Sequence, residues 1–312
     1  MTPSDRVDLG VQVGALRLRN PVIAASGTFG YGLEFSHLVD FGKLGGFVTK
    51  GLSLEPIEGA PGPRLYETAS GMLNAVGLQN VGVREFVKSK LPLLLKYNTP
   101  LFANVFGYCL EEYAEVIRCL EDVPGISAYE LNISCPNVRQ GGMHFGASAA
   151  AVTEVVGAAR KAAAKRPLWV KLLPLVTDIK EIARAAESAG ADALTIANTY
   201  PAMAIDVRAG KSRIGNSTGG LSGPAIKPIT LRLVWEARKA AKIPILGLGG
   251  VETAEDVLEY MAVGASAVQV GTASFADPRS SERIAGRLER VLREAKAFTV
   301  NEIRDRFAAE NG

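Results

Sequence analysis

Cys135 stands between two asparagines, Asn132 and Asn137, where an apolar run of the chain gives out at a Cys-Pro step. Proline has no N–H to offer a sheet, so a strand ending near Ile133 cannot continue through Pro136, and the thiol belongs on a loop at the strand's carboxyl end. Proton abstraction or thiolate chemistry needs such a position, whereas a packing thiol faces the core from within a helix or strand. The other polar residues that close apolar runs are of few kinds. Lys50 and Lys171 are cations, Asn104, Asn132 and Asn198 are amides, and Gly249-Gly250 and Gly271-Thr272 follow the last two runs. The carboxylate and histidine clusters of a metal-dependent hydrolase are missing from these places, and the two histidines, His37 and His144, stand apart, so no metal site is expected. Such glycines can simply make tight turns. Gly249-Gly250 and Gly271-Thr272 at successive strand ends, across from Lys171 and with a third wall available in 219–224, point to a phosphate held on backbone N–H groups.

Those residues have to be positioned by a repeating scaffold. Short β-rich runs occur at 22–25, 47–50, 101–106, 128–133, 168–173, 193–197, 245–248 and 267–270, with amphipathic segments at 34–41, 83–96, 111–121, 147–165, 179–189, 226–241, 254–263 and 281–296. Alternation of this kind builds a parallel sheet through βαβ crossovers, and eight units close into a (β/α)8 barrel. An open doubly wound sheet is disfavoured because Gly27-Thr28-Phe29-Gly30 lacks the third glycine of a dinucleotide fingerprint. Glycines 190 and 264 stop helices directly before the next strand, and 9–13 with 16–19 reads as an N-terminal hairpin that plugs the barrel's bottom. Insertions at 52–80, 135–146 and 199–224 all follow strands, which puts them on the catalytic face. Residues 141 and 142, both glycine, could hinge the second of these as a closing loop.

The 312 residues, 47% hydrophobic, suffice for one large barrel domain spanning 1–312. A formal charge of +3, from 35 basic and 32 acidic residues, gives no nucleic-acid footprint. Three cysteines without a C-x-x-C pair support neither a disulfide framework nor an iron–sulfur cluster in this chain, and Cys109 and Cys119 read as packing residues. No apolar run approaches the roughly 20 residues that cross a bilayer. A cytoplasmic protein without a membrane anchor is expected.

Taken together, NPVIAASGTFG, TKGLS, MLNAVGLQN, ANVFG, LNISCPNV, WVKL, IANT with NSTGGLSGPAIKP, LGLGGV and VQVGTA resemble the dihydroorotate dehydrogenases, and among them the class 1B catalytic subunit. The motifs run from Asn20 to Ala273 in family order. The resemblance implies an FMN lined by Ser26, Lys50, Gly51, Asn104, Asn132, Lys171, Ala197, Gly223, Gly249, Gly250, Gly271 and Thr272. It implies dihydroorotate or orotate against Lys50, Asn74, Ala75, Val76, Gly77, Leu78, Asn132, Asn137, Asn198 and Thr199. Asparagine carries both a donor and an acceptor and so can match either edge of a cyclic imide without adding charge. In the implied reaction Cys135 takes a proton from the carbon beside the carbonyl while the next carbon passes hydride to flavin N5, Lys50 or the cationic surroundings of the flavin favour the thiolate, and Lys171 stabilises the reduced flavin's negative charge.

The resemblance also implies pyrimidine biosynthesis, a homodimer core, and a partner subunit carrying FAD and a [2Fe–2S] cluster that passes electrons to NAD, in a heterotetramer. The alternatives are a fumarate-using class 1A homodimer or another FMN barrel reductase acting on a dihydropyrimidine or dihydrouridine. A Schiff-base aldolase built on Lys171 would leave the amides around Cys135 unexplained. Residues 106–109 and the pair Tyr200 and Pro201 depart from the family pattern, which bears on loop geometry and electron acceptor.

Overall fold

The computed structural model describes residues 7–134 and 145–311. Eight parallel strands close into a barrel in chain order: β1 (Val22–Ala24), β2 (Gly46–Val48), β3 (Leu101–Val105), β4 (Ile126–Asn132), β5 (Leu168–Lys171), β6 (Ala193–Ile196), β7 (Ile245–Leu248) and β8 (Ala267–Val270), the last pairing back to the first. The expected barrel is present. Its strands are apolar on both faces because side chains alternate between the barrel interior and the helix layer, and both are dry; every residue of β3, β5, β6 and β8 is buried.

The helices bury one stripe each against the strands. In Ile179–Ser188 the buried residues are Ile179, Ile182, Ala183 and Ala186, the spacing of one helical face, and the Asp178 carboxylate caps the start by accepting the Lys180 N–H at 2.8 Å. Gly190 (φ 103°) ends the segment: its N–H reaches the Glu187 carbonyl and that of Ala191 the Ala186 carbonyl. Gly264 (φ 107°) does the same before β8, with Ala265 donating to Tyr260. The hairpin Val11–Val13 with Leu16–Leu18 covers the barrel's amino-terminal end, where an added Cβ on Gly14 would lie 3.6 Å from the Asp192 carbonyl that leads into β6.

Two expected helices differ. Residues 34–41 form only the 3-10 turns Leu33–Phe35 and Phe41–Lys43, because the Asp40 side chain accepts the Gly42 N–H and starts a new turn there. The segment 83–96 is helical but widened to a π-turn over Phe86–Lys90, ahead of Pro92, which has no N–H for the carbonyl one turn back. The insertions after β2 and β6 are not simple loops. Leu65–Thr68, Gly71–Asn74, Gly219–Ser222 and Tyr200–Ala202 pair into an antiparallel sheet over the barrel mouth, with a small core of Leu73, Ala75 and Ile214. No helix among the described residues is long and apolar enough to cross a membrane.

Candidate active site

A cleft of about 380 Å³ opens at the carboxyl ends of the strands, beneath the antiparallel sheet. That is a small-molecule volume. The barrel supplies Ser26 beyond β1, Lys50 and Gly51 beyond β2, Asn104 on β3, Asn132 on β4, Lys171 on β5, Asn198 and Thr199 beyond β6, Gly249 and Gly250 beyond β7, and Gly271 and Thr272 beyond β8. The covering insertions add Asn74, Ala75, Val76, Gly77, Leu78 and Gly223. Leu78 holds a positive φ of 57°, uncommon for a side chain of its size. Ala197, expected beside the flavin, is fully buried at the end of β6, and its N–H donates to the Leu248 carbonyl at 3.0 Å. The next residue, Asn198, lines the cleft. Cys135, Asn137 and His144 lie outside the described residues.

The approach to Cys135 is nevertheless well defined. Ser134 is buried and its hydroxyl joins two of the site's amides, donating to Asn132 Oδ1 at 2.8 Å and accepting from Asn198 Nδ2 at 2.7 Å. Asn198 Oδ1 in turn accepts the Thr199 N–H at 2.8 Å, and the Tyr113 hydroxyl donates to the Asn132 carbonyl at 2.8 Å. A chain of hydrogen bonds across β4 and β6 thus fixes the residue just before the cysteine.

Charge is concentrated on the cleft floor. Lys171 is 5% exposed and makes no hydrogen bond or ion pair among the described residues. Burial holds its ammonium below the usual lysine range, and the field of Glu130 opposes that only in part. Burial likewise lowers Lys50, with Glu34 opposing and Arg64 adding to the shift. Glu130 itself is fully buried in the barrel interior one layer below, two residues before Asn132 on the same strand face. Its Oε1 accepts from Asn104 Nδ2 at 2.8 Å, and its Oε2 accepts from the Thr195 hydroxyl at 2.9 Å and from Gln269 Nε2. Asn132 and Lys171 are register partners, as are Lys171 and Thr195, so this interior layer and the cleft rim are one assembly.

The glycine rim is shaped by close approach. A Cβ on Gly250 (φ 67°) would lie 2.8 Å from the Gly223 carbonyl, and one on Gly223 (φ 95°) would lie 2.6 Å from Gly71 Cα. Lys227, whose Cβ abuts Gly250, is committed to Asp256 at 2.5 Å and Glu259 at 2.9 Å. An anion at this rim would therefore be held chiefly by backbone N–H groups. Asp256 also accepts the Glu252 and Thr253 N–H groups, each at 2.8 Å, which anchors the turn after Gly250 to the following helix.

Several contributors escaped sequence reasoning. Glu130 and Gln269 lie inside apolar runs and carry a signal only in their parity with Asn132 and with the strand's inward face. Tyr108 and Pro201, within the two unusual segments, both line the cleft, as does Phe275. Cys109 and Cys119 are half-buried, and burial raises both thiols, consistent with packing.

The described dihydroorotate dehydrogenase family matches residues 8–292 of the chain. A protein of Solibacter usitatus called putative dihydroorotate dehydrogenase A (fumarate) is 55% identical over 94% of this chain and 94% of its own length. Proteins called the catalytic subunit of dihydroorotate dehydrogenase B (NAD(+)) are 54% identical in Trichlorobacter lovleyi, over 92% of this chain and 94% of theirs, and 52% identical in Pelobacter propionicus, over 95% and 97%.

Proposed function

The chain belongs to the dihydroorotate dehydrogenase family of oxidoreductases, and on that premise we propose that it oxidises (S)-dihydroorotate to orotate with FMN bound in the barrel-mouth cleft. The observation that carries the reading is Lys171, a buried lysine whose ammonium makes no ion pair among the described residues, in a cleft lined also by Lys50 and by the amides and glycines of the strand ends. The residues present suit an FMN. A phosphate matches the backbone rim at Gly249, Gly250, Gly271 and Thr272, and a polar ring matches a floor that carries Lys171 and the buried, unpartnered oxygen Asn104 Oδ1.

When bound, FMN supplies the hydride acceptor. The chain's residues do the rest. Lys171 would hold the flavin ring and supply positive charge against the negative charge that reduction brings. Lys50, Asn74, Asn132, Asn198 and Thr199 orient the substrate's carboxylate and imide, with Asn137 as a further amide. Cys135 Sγ accepts the proton from the carbon beside the carbonyl, and the Ser134 hydroxyl ties the substrate-facing amides Asn132 and Asn198 together. A free thiol near 8.5 is only partly ionised at neutral pH, and the Lys50 cation favours the thiolate.

For the electron path we propose a partner subunit with FAD and a [2Fe–2S] cluster delivering to NAD, around a homodimer of this chain. The names of the Trichlorobacter and Pelobacter relatives support it. A fumarate-reducing homodimer is the second reading, supported by the name of the Solibacter relative. Anaerobic mixing with dihydroorotate, then reoxidation by NAD or fumarate with and without a co-purifying subunit, separates them. Protein that binds no flavin, or whose flavin is not bleached by dihydroorotate, refutes the proposal as a whole.

A further inference from the structure

Glu130 is a fully buried carboxylate with no place in the reaction just described. Asn104 Nδ2, the Thr195 hydroxyl and Gln269 Nε2 converge on its two oxygens from β3, β6 and β8, and Gln269 Nε2 also reaches Thr195 Oγ1 at 3.3 Å, which commits the threonine's own proton to the carboxylate. Both of its oxygens are thus engaged, Oε1 by the Asn104 amide and Oε2 by the Thr195 hydroxyl and the Gln269 amide. The consequence falls on Asn104. An amide oxygen turned toward a carboxylate would set two acceptors against each other in a dry interior, so the Asn104 NH2 must point down to Glu130. Its Oδ1 is then left buried and unpartnered beside Gly51 at the cleft, where a Cβ on residue 51 would lie 3.1 Å away.

We propose that Glu130 is a positioning residue that locks the Asn104 amide so that the site presents an acceptor, and never a donor, to an imide N–H of the bound ring. The inference rests on the function proposed above, which places two uracil-like rings in this cleft. Oxidised flavin has one ring N–H, at N3 between two carbonyls, and dihydroorotate has an imide N–H in the same setting. Both offer the hydrogen that Asn104 Oδ1 lacks. A group without it leaves the oxygen buried and unpaired, and such a mismatch discriminates by about tenfold or more.

The test uses full-length protein stripped of flavin and reloaded. Affinity is compared for FMN and for FMN methylated at N3, and, in FMN-loaded protein, for dihydroorotate and its derivative methylated at the imide nitrogen. Wild-type protein should reject one of the methylated compounds by about tenfold or more, and which one it rejects identifies the ring that Asn104 reads. In Glu130→Met the rejection should shrink to within about threefold, because the unlocked Asn104 side chain can swing away from the methyl group and pair its oxygen elsewhere. Glu130→Gln should restore it, since a glutamine oxygen can still receive the Asn104 NH2 once the Gln269 amide turns to accept from the new NH2. Equal rejection in wild type and Glu130→Met overturns the proposal. So does a wild type that accepts both methylated compounds as readily as the parents, a result obtainable even if Glu130→Met does not fold. Failure of the underlying function looks different: no FMN would be bound at all.

Discussion

Replacing Lys171 with methionine removes the buried charge while keeping an unbranched side chain of similar length. A charge-assisted hydrogen bond to a developing anion contributes roughly 1.5–3 kcal/mol. Near-complete burial of Lys171 strengthens its field, and the Glu130 carboxylate, which acts on the same ammonium, takes part of it back. The lower and middle of that range convert to a loss of about ten- to a hundredfold. The fold should tolerate the change. Glu130 keeps all three of its donors, and the desolvation cost of an unpaired ammonium disappears, so melting should move by only a few degrees. The assay is anaerobic stopped-flow reduction by dihydroorotate, followed at the visible flavin band in Lys171→Met with its flavin content measured independently. Reduction within about threefold of wild type at full flavin occupancy would show that Lys171 does not stabilise the reduced ring.

Cys135→Ala should keep its flavin and its melting temperature yet lose flavin reduction by about a hundredfold or more, the usual range for a positioned proton acceptor; bleaching at the wild-type rate removes the thiol from the mechanism. Gly250→Ala forces a Cβ against the Gly223 carbonyl at a residue with φ 67°, and should release flavin on gel filtration while leaving the far-ultraviolet circular dichroism unchanged. The lowered Lys171 gives a signed pH effect: between its folded value and the ordinary 10.5 the unfolded chain binds the extra proton, so stability rises with pH there. Wild type should therefore gain stability relative to Lys171→Met in chemical denaturation as pH is raised from neutral toward 10.5, and a constant difference would contradict the assigned shift. Flavin reduction, which uses the charged form, should decline on the alkaline side before an ordinary lysine would titrate.

Much of this molecule is local in its sequence. Each barrel strand is a short, largely apolar run buried on both faces, and each of Gly190 and Gly264 halts a helix where the next strand begins, so the eightfold repeat is legible without information from distant residues. The residues after strands were legible for the same reason. A lysine, asparagine or glycine that closes a buried run has to emerge at the carboxyl rim, and the cleft collects nearly all of those expected there. The exceptions are instructive. The segment 34–41 has helical composition but is broken by the Asp40 cap, and 83–96 is widened to a π-turn ahead of Pro92.

Pairing across long separations was a different matter. The sheet over the mouth joins Gly71–Asn74 to Gly219–Ser222, and neither strand has a pattern of alternation long enough to be recognised, because each is stabilised by its partner rather than by its own sequence. Glu130 shows the same limit most sharply. In the sequence it is a lone carboxylate in an apolar run, a residue that ought to be costly to bury. Chain-local physics determined the barrel, its rim and the chemical types available there. Only closure of that barrel brought Asn104, Thr195 and Gln269 from three other strands around one carboxylate, because satisfying a buried charge requires donors from directions that a single strand cannot supply.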